Sequence, residues 1–318
     1  MRRIVFLLFP GFELLDFAGP LQVFHESRKR GFDLELLFCS SRPTETCEQG
    51  LAVGELQPYP AFRPDDHVFV PGFTLDITPV PWETVGVVKR ALEAQSRIVA
   101  SCSGAFVLGH AGVLNGRHCT THWKRLAELR QQFPGARVAD ERLFIEDGRV
   151  ITGGGGTCGI DLALHLVEEE RGPLFVSKVA REMLLYVRRD RDAPQTSVYL
   201  DYRSHQNPGI HSVQDWLIEH PDQGADIESL AGIAHMSARN LTRVFRQVTG
   251  ISPGEYRTQL RLERATVLLK NPHLTVEAVA AEVGFKDART LRRLWRERYA
   301  SSPKKSRPAE EKTTVQSA

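Results

Sequence analysis

One short segment has the residue types of a reactive site. In RIVASCSGAFVLGHAG, residues 97–112, Cys102 stands where an apolar run ends and a helical pattern begins. Its neighbours Ser101, Ser103 and Gly104 are small, as a tight strand-to-helix turn requires. At a helix N-terminus the dipole and nearby amides stabilise a thiolate, which lowers the thiol pKa. The segment therefore predicts a nucleophile elbow with cysteine in place of serine.

Arginines occur at matched positions in two helical segments near the end of the chain. At about 100° per residue they lie opposite an apolar stripe in each segment. The planar guanidinium fork can bind guanine O6 and N7 or phosphate oxygens. One such face is often only a solvated surface, whereas a face that repeats together with its core indicates nucleic-acid binding. The arginines are Arg239, Arg243 and Arg246, then Arg289, Arg293 and Arg296 fifty residues later.

These arginines belong to a repeat with a period near fifty residues. Apolar positions match at an offset of 49 before a turn and 50 after it, so the second copy has one extra residue in its turn. Each copy has the pattern of a helix, a short turn and a second helix, which predicts two helix-turn-helix units for major grooves. The residues expected to contact DNA are Ser237, Arg239, Asn240, Arg243, Arg246, Arg289, Arg292, Arg293 and Arg296.

Charge is unevenly distributed along the chain. Residues 1–225 contain 24 Lys and Arg against 29 Asp and Glu, whereas residues 226–307 contain 16 against 8, although the net charge of the whole chain is +2. A basic segment attached to a weakly acidic one is typical of a DNA-binding module joined to another domain. Double-stranded DNA is therefore the predicted partner of the last third.

A strand-to-helix elbow at Cys102 requires a sheet, and the first two-thirds of the chain has the sequence pattern of strands alternating with helices. Short apolar runs suit buried parallel strands, and helical patterns separate several of them. The alternation predicts an α/β fold, an open, mostly parallel sheet with flanking helices, followed by the all-α double helix-turn-helix domain. Ligands of such sheets bind at the carboxyl ends of the strands, so Cys102 is expected at a pocket. The predicted strands are 3–9, 33–39, 66–70, 97–102, 117–121, 143–146 and 150–152, and the predicted helices 14–29, 84–95, 160–170 and 174–188.

The length of 318 residues exceeds the usual ~100–200 residues of one domain. Composition shifts along the chain predict where its parts begin and end. The expected parts are an α/β sensor domain over 1–189, a polar linker over 190–210, a DNA-binding domain over 211–303 and a disordered polar tail over 304–318.

Composition also excludes several classes of protein. Five cysteines without a CxxC pair argue against a disulfide framework and a zinc site. No apolar run approaches the ~18 residues of a membrane span, and no signal-peptide cleavage site follows the first strand, so a cytoplasmic location is expected. The glycine run 153–156 lacks the Lys-Ser/Thr ending of a phosphate loop. Neither a metal nor a cofactor is predicted.

The last third resembles the AraC/XylS family of transcription regulators. The resemblance covers about residues 226–303 and rests on LAGIAHMSARNLTRVFRQVTGISPGEY, RLERATVLL and VAAEVGFKDARTLRRLWRERYASSP. It implies two helix-turn-helix units, joined by a helix, that bind adjacent major grooves. The second unit departs from the family pattern at Trp295, at Ala300 and over 305–307, so the resemblance is stronger in the first unit.

Residues 3–190 resemble the PfpI/ThiJ proteins of the class I glutamine-amidotransferase-like fold, and among them the GlxA-like regulators. The resemblance rests on FPGFELLDFAGPLQVF, VPGF, VLNGRHCTTHW, ITGGGGTCGIDLAL and the Cys102 segment. It implies that Cys102 is the family's elbow cysteine, that Asp16 hydrogen-bonds its thiol, and that the Pro71-Gly72 loop lines the pocket with backbone amides. It also implies a homodimer formed through this domain.

The residues around Cys102 depart from those of a hydrolase. Hydrolytic relatives have His directly after the cysteine, where this chain has Ser103, and no later His-x-Glu is present. General-base activation would have to come from Asp16 or His122. Cys102, Asp16 and Ser103 are therefore expected to form a vestigial or sensor elbow, with no catalytic residue assigned. The expected ligand-binding residues are Asp16, Gly72, Cys102, Ser103 and His122.

Three functions remain open from the sequence. The first is a dimeric, non-enzymatic regulator that binds specific DNA and responds to a small molecule or reactive species. The second is a cysteine-dependent hydrolase or hydratase of the PfpI or isonitrile-hydratase type, whose turnover Cys102→Ala would abolish. The third is an architectural nucleic-acid binder without sequence preference. DNA binding that persists in Cys102→Ala separates the first from the second.

Overall fold

The chain forms two compact units that divide between Gln195 and Thr196. The structure is a computed structural model, and it describes residues 1–76, 80–140, 142–186, 188–299 and 301–303. The tail predicted to be disordered, 304–318, lies outside the described residues, as does Ala300. None of the helices that the structure describes is both long and apolar enough to cross a membrane.

The strands of the first unit are short, and those of its main sheet are largely buried. The described strands are β1 (Arg2–Leu7), β2 (Leu34–Cys39), β3 (Glu45–Thr46), β4 (Ala52–Val53), β5 (His67–Val70), β6 (Arg97–Ser101), β7 (His118–Cys119), β8 (Arg137–Val138), β9 (Phe144–Asp147) and β10 (Val150–Gly153). The main sheet has the order β2-β1-β5-β6-β10-β9, and its neighbours are parallel except β9 and β10. Strands β3 and β4 pair separately, as do β7 and β8. The predicted open, mostly parallel sheet is confirmed.

Helices pack on both faces of this sheet. They are α1 (Leu14–Lys29), α2 (Trp82–Glu93), α3 (Gly104–His110), α4 (Leu126–Gln132), α5 (Cys158–Arg171) and α6 (Pro173–Glu182). The chain crosses from β1 through α1 to β2 in one direction and from β5 through α2 to β6 in the other. Because such crossovers are right-handed, α1 and α2 lie on opposite faces. The strand order therefore reverses between β1 and β5, and ligands of α/β proteins bind beside the carboxyl ends at such a point.

The predicted strand over 117–121 is reduced to β7 and lies outside the main sheet. Thr120, which follows β7, donates its N–H to Thr152 Oγ1 (2.8 Å) instead of to a strand carbonyl. Thr120 is therefore bonded to β10, an interior strand of the main sheet, through a side chain.

The predicted helix over 174–188 ends earlier, at Glu182. Leu184 has a left-handed φ of 54°, a conformation that a helix cannot continue through. The Leu185 N–H closes this turn by donating to the Ala180 carbonyl (3.0 Å).

The second unit consists of helices, and its repeat is visible in their order. They are α7 (Val198–Asp201), α8 (Pro208–Glu219), α9 (Ile227–Ile233), α10 (Ala238–Thr249), α11 (Pro253–Leu268), α12 (Val276–Glu282) and α13 (Ala288–Tyr299). The turn from α9 to α10 has four residues and that from α12 to α13 has five, which confirms the extra residue predicted for the second copy. The connecting helix α11 contributes Leu260 to the core around Phe245 and Leu262 to the core around Trp295.

The division between the units falls inside the segment predicted as a linker, 190–210. Before the division, the Ala193 carbonyl accepts from the Leu143 N–H (2.8 Å). After it, Val198 is fully buried in the core of the second unit. These contacts involve a backbone group and a single side chain, so the polar composition of the segment did not predict them.

Candidate functional site

Cys102 lies at the tight turn between β6 and α3. It has a left-handed φ of 53°, which is uncommon for a residue with a side chain and is held by the surrounding contacts. The Cys102 N–H donates to the Gly153 carbonyl (2.9 Å), and the Cys102 carbonyl accepts from Thr121 Oγ1 (2.7 Å). The strand-to-helix elbow predicted from the small residues is present.

Asp16, in the first turn of α1, places a buried carboxylate beside the elbow. Its Oδ1 accepts from the Ser101 hydroxyl (3.1 Å) and the Gly156 N–H (2.7 Å), and its Oδ2 accepts from the Gly72 N–H (3.0 Å). The resemblance implied a hydrogen bond to the Cys102 thiol instead, and no hydrogen bond among the described residues joins these two groups. Asp16 therefore holds together the three chain segments that surround the thiol.

Burial raises the pKa of the Asp16 carboxyl to about 6, although hydrogen bonds from Gly72, Gly156 and Ser101 oppose the rise. The ordinary pKa of aspartate is 3.8. The raised pKa shows that the charged form of Asp16 is costly in this place. A carboxylate kept at such a cost is typical of a functional site.

Asp16 is expected to make the stability of the first unit depend on pH. Because the folded-state pKa is the higher one, its contribution is complete below about pH 4 and is lost as pH rises through 6, by about 3 kcal/mol in total. In Asp16→Asn this titration is absent. Urea unfolding from pH 4 to 7 should show the wild-type free energy of unfolding falling relative to the variant. The matched control is the exposed Asp33→Asn, and a constant difference for Asp16→Asn would contradict the raised pKa.

Gly72 allows the loop after β5 to approach the elbow closely. A Cβ there would lie 2.6 Å from Asp16 Oδ2 and 2.7 Å from Cys102 Cβ, too close for a real side chain. Buried Ser103 bonds to the same loop, because its Oγ accepts from the Phe73 N–H (2.6 Å) and its hydroxyl donates to the Phe73 carbonyl. The structure thus brings together four of the predicted ligand-binding residues, and the amides of Gly72 and Phe73 already have acceptors.

The glycine run 153–156 lies against the elbow, although none of its residues was among the predicted site residues. Gly155 has a φ of 88°, and a Cβ there would lie 2.3 Å from Cys102 Cβ. Two further residues of this site, Ser101 and Thr121, were also missed. The available signal was a run of glycines that fits no phosphate loop, since such a run allows close backbone approach.

His122 has contacts that belong to its own turn. Its Nδ1 accepts from the Lys124 N–H (3.3 Å), and its ring stacks on Trp123 with centroids 5.7 Å apart. Burial lowers the pKa of His122, and the charges of Lys124 and Arg125 lower it further. No hydrogen bond among the described residues joins His122 to Cys102, so its role in ligand binding stays a prediction.

The Cys102 thiol is not activated in this arrangement. Burial, and after it the Asp16 carboxylate, raise its pKa to about 12, and hydrogen bonds from Ser103 oppose the rise. The lowered pKa predicted from the helix N-terminus is wrong, because burial and a nearby negative charge outweigh the amide and dipole of the short helix α3.

Cys102 is expected to react slowly with iodoacetamide at pH 7.5. A thiol pKa near 12 leaves less than about one part in ten thousand ionised, and the higher nucleophilicity of such a thiolate offsets part of this, so alkylation should be at least about thirtyfold slower than at an exposed cysteine. Mass spectrometry of the peptide that contains Cys102 measures the rate, and Cys102→Ser and the urea-unfolded chain are the controls. The other cysteines are buried. Rapid labelling of the folded protein would contradict a protonated thiol.

One group of described side chains has the types that bind metals. Ligand atoms of Glu146, His165 and Glu169 lie within 4.8 Å of one another. The Arg97 guanidinium hydrogen-bonds to both carboxylates and supplies the positive charge that a cation would bring. The arrangement is that of an ion-pair network.

The arginine faces predicted from the repeat are exposed. Helix α10 buries Leu241 and Phe245, and α13 buries Leu291 and Trp295 at the corresponding positions. The surface of α10 carries no acidic residue. The exposed arginines are Arg239, Arg243, Arg246, Arg289, Arg293 and Arg296.

The other residues assigned to DNA contact also have structural contacts. Ser237 caps α10 by accepting from the Asn240 N–H (3.3 Å), and Asn240 Oδ1 accepts from Arg243 Nη2 (2.9 Å). Half-buried Arg292 forms an ion pair with Glu277 (2.5 Å). Their contact with DNA remains a prediction.

Both units of the chain are similar to known protein families. The model of the DJ-1/PfpI family matches residues 2–169, and a helix-turn-helix domain model matches residues 230–309. The HTH-type transcriptional regulator GbdR of Pseudomonas aeruginosa (strain UCBPP-PA14) is 32% identical over 222 residues, which cover 68% of this chain and 60% of GbdR. The chain thus matches less than two thirds of the length of GbdR.

Two further relatives and one solved structure complete the comparison. The HTH-type transcriptional regulator CdhR of Pseudomonas aeruginosa is 29% identical over 311 residues, 95% of this chain and 90% of CdhR. Isonitrile hydratase of Pseudomonas putida is 35% identical over 173 residues, 52% of this chain and 71% of that enzyme. The crystal structure of an AraC family transcriptional regulator from Pseudomonas putida superposes with a TM-score of 0.52 at 21% identity, over 58% of this chain and 100% of that chain. This likeness shows a shared fold.

The fold and the site define an α/β protein with a cysteine on a strand-to-helix elbow, joined to a helical domain with two helix-turn-helix units. The chain belongs to the DJ-1/PfpI family, and its C-terminal helix-turn-helix domain is of the AraC type.

Proposed function

We propose that the protein is a sequence-specific DNA-binding transcription regulator, whose first unit senses a small molecule or a reactive species at the Cys102 pocket. One observation carries the proposal: the two helix-turn-helix units repeat both their cores and their exposed arginine faces. The similarity to CdhR along 95% of the chain supports it.

The chemistry of the pocket favours sensing over catalysis. The Cys102 thiol is protonated at neutral pH, because its pKa is about 12. An oxyanion hole needs free N–H donors, whereas the Gly72 and Phe73 amides are bonded to Asp16 and Ser103. A ligand that enters must rearrange these bonds, and it shifts the protein between two states only if it binds them with different affinity.

We further propose that the protein is a cytoplasmic homodimer that associates through its first unit. Large apolar side chains are exposed at and after α6. Their exposure to water is unfavourable, and association of two copies would bury them. These side chains are Leu174, Leu184 and Tyr186.

Fluorescence anisotropy tests whether the protein binds DNA with sequence specificity. The full-length protein is titrated against DNA from upstream of its own gene and against a scrambled duplex, at several salt concentrations. We expect binding to the upstream DNA at least about a hundredfold tighter at near-physiological salt. If the upstream duplex shows no preference, selection from random duplexes follows. Equal affinity for every duplex would indicate an architectural binder.

The similarity to isonitrile hydratase supports a second candidate, a cysteine-dependent hydratase or hydrolase. This function requires the elbow cysteine as nucleophile, with Asp16 or His122 as the base. Incubation with an isonitrile and with an amide, for the wild type and Cys102→Ala, tests it. Turnover that the variant lacks would establish the enzyme, and no turnover by either protein favours the regulator.

A further inference from the structure

The last residue of the first unit is bonded to a turn beside the Cys102 elbow. Gln195 Nε2 donates to the Thr121 carbonyl (2.9 Å) and the Arg142 carbonyl (2.8 Å), and it lies 3.2 Å from Thr120 Oγ1. The side chain is thus surrounded by acceptors from two different loops. A glutamine amide suits this place because it has two N–H donors.

Thr121 connects this side chain to the elbow directly. Its carbonyl accepts from Gln195, while its hydroxyl donates to the Cys102 carbonyl (2.7 Å). A single buried residue therefore separates the Cys102 turn from Gln195. Movement of the Cys102 backbone must either break the bond to Thr121 or move Thr121 with it.

The glycine run makes a second contact between the same two places. A Cβ at Gly154 would lie 2.6 Å from Gln195 Cδ and Oε1, so Gln195 packs directly on the backbone of this run. The next residue, Gly155, lies against Cys102. Gly156 donates to Asp16. The run is thus in contact with Cys102 on one side and with Gln195 on the other, so a displacement of the run at Cys102 also affects Gln195.

The residues before Gln195 are bonded to the same region. Arg189 donates from Nε to Asp161 Oδ2 (2.9 Å) and from Nη2 to Thr157 Oγ1 (2.8 Å), at the start of α5 just after the glycine run. The Leu143 N–H donates to the Ala193 carbonyl (2.8 Å), and the Leu143 carbonyl accepts from the Gly154 N–H (2.9 Å). The segment 189–195 thus follows the loops that frame the pocket.

The chain enters the core of the second unit almost immediately after Gln195. Ser197 caps α7, and Val198 is fully buried. The Tyr202 carbonyl accepts from Gln214 Nε2 (2.7 Å), which fastens α7 to α8. Two residues separate Gln195 from Val198, so little chain is available to absorb a displacement of Gln195.

We infer that Gln195 is the positioning residue that transmits the state of the Cys102 pocket to the DNA-binding unit. The predicted change in DNA affinity rests on the proposed function. The coupling from the Cys102 pocket to residues 189–195 does not depend on DNA. When the glycine run or Thr121 shifts, Gln195 loses acceptors and the exit segment, residues 189–195, is released. Removal of its amide should therefore uncouple the two units without removing the DNA interface.

A double-mutant cycle tests this coupling in the full-length protein. Gly155→Ala places a methyl group 2.3 Å from Cys102 Cβ and so forces the glycine run and the elbow to shift relative to each other. On the duplex that the wild type binds most tightly, we expect Gly155→Ala to change Kd about fivefold or more, and less than about twofold in a Gln195→Ala background. Gln132→Ala, which removes an exposed glutamine of α4, is the matched control and should leave the full Gly155→Ala effect.

A merely structural role for Gln195 gives a different result. It would change stability and leave the effect of Gly155→Ala on Kd equal in both backgrounds, which would overturn the inference. No effect of Gly155→Ala on a wild type that binds DNA specifically would also overturn it. If Gly155→Ala fails to fold, Thr121→Val replaces it, because this substitution deletes the bond to the Cys102 carbonyl and keeps the carbonyl that binds Gln195.

Hydrogen exchange without DNA separates this inference from the proposed function. Deuterium uptake of the peptide spanning 189–200 should rise in Gly155→Ala, and should be raised in Gln195→Ala with no further rise in the double variant. Uptake unchanged by Gly155→Ala would refute the coupling. A wild type that binds no duplex selectively would refute the regulator, while the exchange data still decide the coupling.

Discussion

Replacing Arg239 and Arg289 together by alanine is expected to weaken operator binding by the full-length protein by about 2–6 kcal/mol, and each single replacement by about 1–3 kcal/mol. Each arginine is the second residue of α10 or α13, the two helices proposed to enter the major groove, and in helix-turn-helix proteins side chains at this end of the recognition helix contact base edges. Both are exposed and lie in different helix-turn-helix units, so their effects should add. Anisotropy titrations at one fixed salt concentration measure the losses.

Two further variants decide what these arginines contact. Arg239→Lys keeps the positive charge and loses the planar guanidinium fork. It should therefore retain a phosphate contact and lose guanine recognition. Arg137→Ala removes an exposed arginine of the first unit and should leave affinity unchanged. A loss that is equal on operator and scrambled duplexes would indicate phosphate contacts, and the salt slope should then fall by about 1 for each arginine. Unchanged affinity in the double variant would contradict the assigned interface.

Asp66→Ala is expected to reduce the free energy of unfolding of the first unit by about 3–5 kcal/mol, because it leaves the buried Arg3 charge without its ion-pair partner. The side chains of Arg3 and Asp66 are only 8% and 1% exposed. Arg3 Nε and Nη2 donate to the two carboxylate oxygens at 2.7 and 2.5 Å, and the Arg63 N–H also donates to Asp66 (2.8 Å). Urea unfolding at pH 7 measures the loss.

The neighbouring residue provides the control for this prediction. Asp65 is 88% exposed, and its carboxylate lies 3.5 Å from Arg2. Asp65→Ala should therefore change stability by no more than about 0.5 kcal/mol. Similar losses in both variants would show that burial of the Arg3–Asp66 pair does not determine its contribution.

The elements of the fold could be predicted from the sequence because burial imposes patterns on neighbouring residues. Helix α1 begins and ends at the predicted residues, Leu14 and Lys29. The strand before Cys102 was predicted to within one residue, since a parallel strand covered on both faces requires a continuous apolar run. The repeat likewise predicted the two helix-turn-helix units of the second unit, including the extra residue in the turn of the second copy.

The properties of the site could not be predicted in this way, because they depend on contacts between distant residues. Ser101 bonds to Asp16 across 85 residues, and Gln195 bonds to Thr121 across 74. These contacts involve single polar side chains, which leave no periodic signal. The Cys102 pKa follows from its burial and from the Asp16 carboxylate, and neither can be read from the residues next to it.

Helix α11 contributes side chains to the cores of both helix-turn-helix units, and this has a consequence for the DNA. Its 16 residues rise about 1.5 Å each and turn about 100° each, so one inserted residue would rotate one recognition helix against the other. If the protein binds DNA as proposed, it should fix the number of base pairs between two half-sites but not the bases that fill them. A genome search for its operators should hold the spacer length constant and leave the spacer sequence free.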